Sequence, residues 1–466
     1  MRLSTMLTAL AVCATPAAAQ APADTLRLTL DQAVARALDQ GADMRLARAA
    51  VVEANGQVRE AFSGALPQIT GSITYTRQFA SIFQGQASDT STLGKLFENS
   101  PFGAANAWNF QIQATQLIWS GGKVGAGLAA AKSFRQVTTL QQSETAADVT
   151  LQVKQAYWNA TLQDRLLTIA VQNLEQARQH LREVQLYRQA GTRAEYDLLR
   201  AQVDAANQEP AVVQAHNSYD VAMLDLKRLL NIPASQPMQL ATTLESPEAT
   251  IPVIATDSLG GPDRPSVAAA DALVHEQEQL ARVARADRWP TLSASTTLNE
   301  QTFPADVFPG GTDVFRRGWS GEIKLSFPIF LGFKTSGTIE QANARVMRAQ
   351  AQRDQVQRQV EMEVTQAKGE VERARASLAA RRKTVQQAQR AQYLSGVRYT
   401  NGMATQLDVT DARVAALQAE VNEVQATRDY YVALAQLERA LGRPVPVVQQ
   451  SIEQVANASN KKDAQP

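Results

Sequence analysis

Residues Tyr399 to Arg413 read YTNGMATQLDVTDAR, and the reading of this stretch decides the fold. It holds an Asn401-Gly402 turn signal, then Thr405, then two aspartates three residues apart, Asp408 and Asp411. Helical patterns run on both sides of it. Gly191 in YRQAGTRAEYD stands 211 residues earlier and breaks two helical patterns in the same way. Ile118 in LIWSGGK and Pro233 in LLNIP stand the same 211 residues before Ile329 in PIFLGFK and Pro444 in ALGRP. Pro67 in ALPQITGSIT precedes Pro290 in RWPTLSASTT by 223 residues. A constant offset over such a length is a duplication. The change of offset puts 12 extra residues in the first copy, between Pro67 and Ile118.

Each copy reads as helix, strand, loop, strand, very long helix, turn, shorter helix. The long helices are expected over about 123–190 and 335–399. In the second, Ile339, Ala342, Val346, Ala349, Val356, Val360, Val364, Ala367, Val371, Ala374 and Leu378 follow one another almost always at steps of three or four. That is a heptad-type seam, interrupted at Arg353 and Arg381. At roughly 1.5 Å per residue such a helix is about 100 Å long, far more than a globular domain needs. Return helices are expected over about 194–231 and 405–441. A shorter helix, 42–64 or 266–288, precedes the strands of each copy. A return helix and a short helix stacked end to end would line one long neighbour.

Four segments alternate strictly between apolar and polar residues, at about 67–79, 107–119, 290–303 and 318–330. In the first, Ile69, Gly71, Ile73 and Tyr75 alternate with Gln68, Thr70, Ser72 and Thr74. In the last, Trp319, Gly321, Ile323, Leu325 and Phe327 alternate with Ser320, Glu322, Lys324 and Ser326. Strands of about ten residues cross a bilayer when tilted, and aromatic residues near their ends suit an interfacial girdle. A soluble sandwich with one wet face is the plain alternative. Four strands leave open edges, which lipid does not tolerate, so a membrane reading requires several chains to share one barrel. Eight strands fill with side chains, whereas twelve leave a passage. Three chains are the simplest symmetric solution.

Composition narrows the function. The net charge of +1 gives no ground for a nucleic-acid partner, and no run of apolar residues is long enough for a transmembrane helix. Residues 1–19 read as a signal peptide, with Arg2, a short apolar stretch and Ala17-Ala18-Ala19. The one cysteine, Cys13, lies within it, in a stretch that resembles a lipidation site only faintly. Removal of this segment leaves no thiol chemistry. The domain order is therefore 1–19 signal peptide, 20–233 first repeat, 234–263 equatorial linker, 264–444 second repeat and 445–466 tail. His180, His216 and His275 lie far apart and read as helix-surface residues. No catalytic, cofactor or metal motif is present in the sequence.

These features resemble the TolC-type outer membrane factors. The likeness rests on IWSGGK and IFLGFK after the second strand of each copy, on GTRAEYDLLRAQ and GMATQLDVTDAR at the helix breaks, and on the strand-opening prolines. It covers essentially the whole chain after the signal segment. The resemblance implies a mainly α protein with a transmembrane β-barrel: a homotrimer whose twelve strands close in the outer membrane above a periplasmic α-helical barrel. It implies no cofactor, outer membrane lipid around the barrel, and two partners, a periplasmic adaptor and a proton-driven or ABC inner-membrane transporter. The duct would be passive and would serve efflux or type I secretion. A periplasmic coiled-coil adaptor is the alternative, which explains the heptads but not the strands.

At the helix breaks the residues permit two readings. Thr405 can cap the returning helix with Asp408 at its third position, which stabilises it by about 1 kcal/mol. Asp411 is less well explained by capping. Under a threefold axis each aspartate becomes a ring of three, which favours cations. The resemblance assigns Asp408 and Asp411 to a selective constriction, Asp197 and Tyr399 to a latch between tip hairpins, and Gly191, Thr192, Arg193, Gly402, Met403 and Ala404 to tips that touch the adaptor. A solvated Asp197 and a packed Tyr399 are the plain alternative. Met403-Ala404 departs from the Gly-Thr-Arg pattern that the first copy keeps at Arg193.

Overall fold

The structure is a computed structural model that describes residues 25–80, 104–192, 194–244, 264–304, 306–310 and 315–444. The signal segment with Cys13, Arg193, most of the linker and the tail from 445 onward lie outside the described residues. The elements run in the order β1 (Leu26–Leu28), α1 (Leu30–Gln40), α2 (Ala42–Ser63), β2 (Gln68–Arg77), β3 (Asn106–Trp119), α3 (Lys123–Gln189) and α4 (Glu195–Leu229). They continue with β4 (Met238–Leu240), α5 (Pro265–Ala286), β5 (Thr291–Thr302), β6 (Arg316–Ser326), α6 (Lys334–Thr400) and α7 (Gln406–Leu441). The long helices α3 and α6 have 67 residues each. By its contacts the chain divides into two compact units. One comprises Met1–Ala42, Thr150–Ile251 and Arg373–Ala435; the other comprises Asp43–Val149, Pro252–Glu372 and Gln436–Pro466. Each unit draws on both repeats.

In the second unit β2, β3, β5 and β6 form an antiparallel sheet in that order. Its register explains the alternation. Gly71 faces Ile112, Ile112 faces Leu298 and Leu298 faces Trp319, so one row crosses all four strands on one face. Directly opposed residues share a face, so the apolar sets of the four strands fall together. No described residue covers that face: Ile73 is 67% exposed, Trp319 81% and Ile323 76%. Among the described residues the outermost strands, β2 and β6, have one paired side each. At one end of the sheet Tyr75 packs at 5.1 Å on Trp108, and the Trp108 indole N–H donates to the Val307 carbonyl at 2.8 Å.

The two IxxGxK turns lead from sheet to long helix. Gly121 and Gly122 have φ of 62° and 81°, and the equivalent Gly332 and Phe333 have 57° and 66°. Two successive left-handed residues reverse the chain at each turn, which accounts for the glycines. A Cβ on Gly121 would lie 2.6 Å from the Trp289 Cβ, so this glycine is also required by packing.

The seam of α6 is buried as its spacing predicts. Ile339, Ala342, Ala349, Val360, Val364, Ala367, Val371, Ala374 and Leu378 are buried, and Val346 and Val356 half-buried. Arg353, which breaks the seam, is satisfied at 2.6 Å by Asp354. In the same unit Arg264, the buried N-cap residue of α5, pairs with Glu144 of α3 and, at 2.6 Å, with Glu363 of α6. Arg439 of α7 reaches Glu363 at 2.8 Å and Asp148 at 2.8 Å. Burial opposes the charge of Glu363, but hydrogen bonds from Gln359 and Arg264, with Arg439 beside it, hold its carboxyl below the usual range.

In the first unit β1 and β4 pair in parallel. The buried Tyr157 hydroxyl donates to the Leu28 carbonyl at 3.0 Å and accepts from Thr242 N–H at 2.9 Å, pinning this small sheet to α3. Trp158 stacks on Tyr431 at 4.5 Å, and Leu162, Ile169 and Val424 continue the core.

Candidate functional site

The helix breaks lie in the first unit, and both long helices end in the same way. Gly191 has φ of 75° and Gly402 of 73°. The N–H of the residue after each glycine returns five residues, from Thr192 to the Tyr187 carbonyl at 2.9 Å and from Met403 to the Arg398 carbonyl at 2.8 Å. The glycine N–H groups themselves bond to Arg188 and Tyr399. This is a Schellman cap, which closes a helix with a left-handed residue and satisfies its last carbonyls. Gly191, Thr192, Gly402 and Met403 are all exposed.

The two return helices start differently. Thr405 is the N-cap of α7 and Asp408 its third residue. The Thr405 N–H and hydroxyl both donate to the Asp408 carboxylate at 2.7 Å, and Asp408 N–H donates to the Thr405 hydroxyl at 3.3 Å. These reciprocal bonds form a capping box with aspartate in the acidic place. The Thr405 hydroxyl and backbone N–H, assisted by Arg398, hold the Asp408 carboxyl below the usual range. Asp197 is the third residue of α4, where the N-cap is Ala194 and no side-chain cap forms. Asp411 is exposed one turn beyond Asp408. Capping thus employs Asp408 and leaves the Asp411 carboxylate on the surface.

Between these hairpins four helices contribute to a polar cluster. His180 of α3 meets Tyr399 of α6 edge to face, with ring centroids 6.3 Å apart. Gln406 of α7 places its amide nitrogen 3.1 Å from His180 Nε2. Arg413 of α7 pairs with Asp204 of α4, their side chains only 11% and 20% exposed. Tyr399 is buried, whereas Asp197 is half-exposed on α4. The structure therefore gathers Tyr399 with His180, Gln406, Arg413 and Asp204, and it sets Asp408 and Asp411 on one exposed turn. His180 does not sit on a helix surface as its sequence context suggests. His216 and His275 do, each beside an acid of its own helix.

Sequence reasoning missed this cluster, although one signal was available. At the offset of 211 residues His180 faces Ala391, Tyr399 faces Arg188, Arg413 faces Gln202 and Asp204 faces Ala415. At these four places the two copies carry different chemistry.

Comparison with known proteins agrees with this architecture. The family model described as outer membrane efflux protein matches residues 33–231 and 262–443. The outer membrane efflux protein BepC of Brucella suis biovar 1 (strain 1330) is 26% identical over 433 residues, covering 89% of this chain and 85% of that protein. The Campylobacter jejuni CmeC outer membrane channel superposes with a TM-score of 0.73 at 19% identity, covering 92% of this chain and 89% of that one. A membrane protein from Pseudomonas aeruginosa gives a TM-score of 0.72 at 22% identity, over 88% and 92% of the two chains.

Proposed function

This chain belongs to the outer membrane efflux protein family, and from that premise we propose how it works as a channel: three copies close one duct, gated where the long helices turn. It is an outer membrane channel and not an enzyme. The observation that carries the trimeric reading is the four-stranded sheet, whose apolar face is bare and whose outermost strands β2 and β6 each keep an unpaired side. A bilayer tolerates such a sheet only when copies of it close into a barrel. Twelve strands leave room for a passage. A periplasmic coiled-coil adaptor has no use for that sheet, and the family match sets this alternative aside.

In this reading the hairpins of α3–α4 and α6–α7 form the entrance. Asp408 and Asp411 ring it with carboxylates and make it prefer cations. The tips at Gly191, Thr192 and Arg193 and at Gly402, Met403 and Ala404 meet the periplasmic adaptor. Tyr399 and Asp197 tie neighbouring hairpins and hold the entrance narrow. The driving force comes from an inner-membrane transporter. The name of BepC, an outer membrane efflux protein, makes efflux the preferred service over type I secretion.

Recordings of the purified protein in planar bilayers test this reading. A cation preference is expected, and Asp408→Asn with Asp411→Asn should reduce it severalfold. An ion preference unchanged by the double substitution would place the constriction elsewhere.

A further inference from the structure

The half-buried imidazole of His180 has no part in the channel as described so far. Its side chain is 19% exposed, and it touches Tyr399, the residue read above as a latch. We propose that His180 is a positioning residue for Tyr399, and that mild acid, by protonating its imidazole, loosens the tip hairpins and widens the entrance. This inference rests on the latch reading of Tyr399.

The argument begins with hydrogen-bond roles. Gln406 directs its amide nitrogen, a donor, at His180 Nε2. With the amide so oriented, Nε2 is the bare nitrogen of a neutral ring and the proton is on Nδ1. Nδ1 lies 3.9 Å from Glu183 Oε2, too far for a hydrogen bond. A protonated ring carries N–H at both nitrogens and cannot accept from Gln406. Gln406 is itself buried, and its carbonyl oxygen has no partner among the described residues. Protonation therefore requires the amide to flip or withdraw at the first residue of α7.

The charges around the ring set the sign. Asp204 of α4 is already occupied by Arg413 of α7, and α6 presents the neutral Tyr399. Glu183, on the histidine's own helix, is exposed. Burial and Arg413 oppose a positive ring; Glu183 and Asp204 favour it, and the balance holds the imidazole below its ordinary value. A depressed histidine stabilises the packed state fully at neutral pH. That contribution begins to be lost as pH falls below the ordinary imidazole value, near ~6.5, and is gone once pH has fallen through the lower value of the packed state. Most carboxylates titrate near ~4, so over about pH 7.5 to 5.5 a change reports on imidazoles, and the His180→Gln variant separates His180 from His216 and His275.

Conductance of the purified protein in planar bilayers across that window is the test. Wild-type conductance should rise about threefold towards the acid end. His180→Gln, which keeps a neutral polar group, should remove the rise. Glu183→Gln alters only an exposed side chain, so folding is not at risk. It should move the midpoint acidward by about 0.3 pH units, the size of an exposed helical pair. A flat wild-type profile, or an unchanged rise in His180→Gln, overturns the inference. The latch has a separate readout. Tyr399→Phe and Tyr399→Ala should raise conductance at pH 7.5, and if neither does, the latch reading falls. If both raise it while His180→Gln keeps the acid step, the latch stands and the role of His180 falls.

Discussion

At the scale of single residues, Asp408 has one role fixed by its spacing from Thr405 and, in the proposed entrance, a second one beside Asp411. The Thr405 box gives Asp408 a local role that needs no trimer. It also keeps the Asp408 charge available: a depressed carboxyl stays ionised below the ordinary ~3.9 and loses its cap only as pH falls through the lower folded value. Thr405→Ala should therefore cost about 1 kcal/mol of local stability, read as roughly fivefold faster amide exchange over residues 402–408. It should also return the Asp408 titration towards the usual range, so that cation preference weakens at higher pH than in the wild type. Exchange rates at wild-type values would show that the box contributes nothing. This cap was legible in the sequence because it depends on a spacing of three residues. The His180 cluster was not, because its burial depends on four helices arriving together, and a lone histidine in a helical run carries no sign of that.

At the scale of elements, the period of the pattern told helices from strands, and the register converted it into faces. The seam of α6 and the alternation of β2, β3, β5 and β6 were legible for this reason. The left-handed turn after β6 was less so, since Phe333 occupies a conformation that the first copy gives to glycine. The tip and turn glycines differ in why they are needed, which leads to a comparison. Gly402 has open space where a Cβ would be, so Gly402→Ala should cost only the left-handed backbone, about 1 kcal/mol. Gly121→Ala adds to the same cost a collision with Trp289, and should be clearly the worse of the two. Thermal unfolding of the purified variants checks this order. Equal losses would mean that Trp289 moves aside freely, and that the contact does not fix the turn between β3 and α3.

At the scale of the whole molecule, closure is the property that the sheet alone lacks. The apolar rows from Ile69 to Leu325 lie on one face, and their exposure in a single chain is the reason for association rather than a defect. An open edge beside that face forfeits a row of backbone hydrogen bonds in lipid, so β6 of one copy should pair with β2 of the next. Antiparallel pairing continues the sheet order β2-β3-β5-β6 around a ring without adding any new type of contact. The only cysteine of the chain is Cys13, so paired substitutions report cleanly. Cysteines scanned along β2, for example Thr70→Cys and Ser72→Cys, against Ser320→Cys and Glu322→Cys on β6, should contain pairs that oxidise to a covalent trimer. The face is chosen so that both thiols stand opposite the apolar rows, away from lipid. Because the register advances two residues at a time on one face, productive pairs should recur with period two and fail at the intervening positions. Reducing gels should return these trimers to single chains. Crosslinks that stop at dimers would mean that the ring does not close at three, and crosslinks without the period would mean that β2 and β6 are not paired as strands.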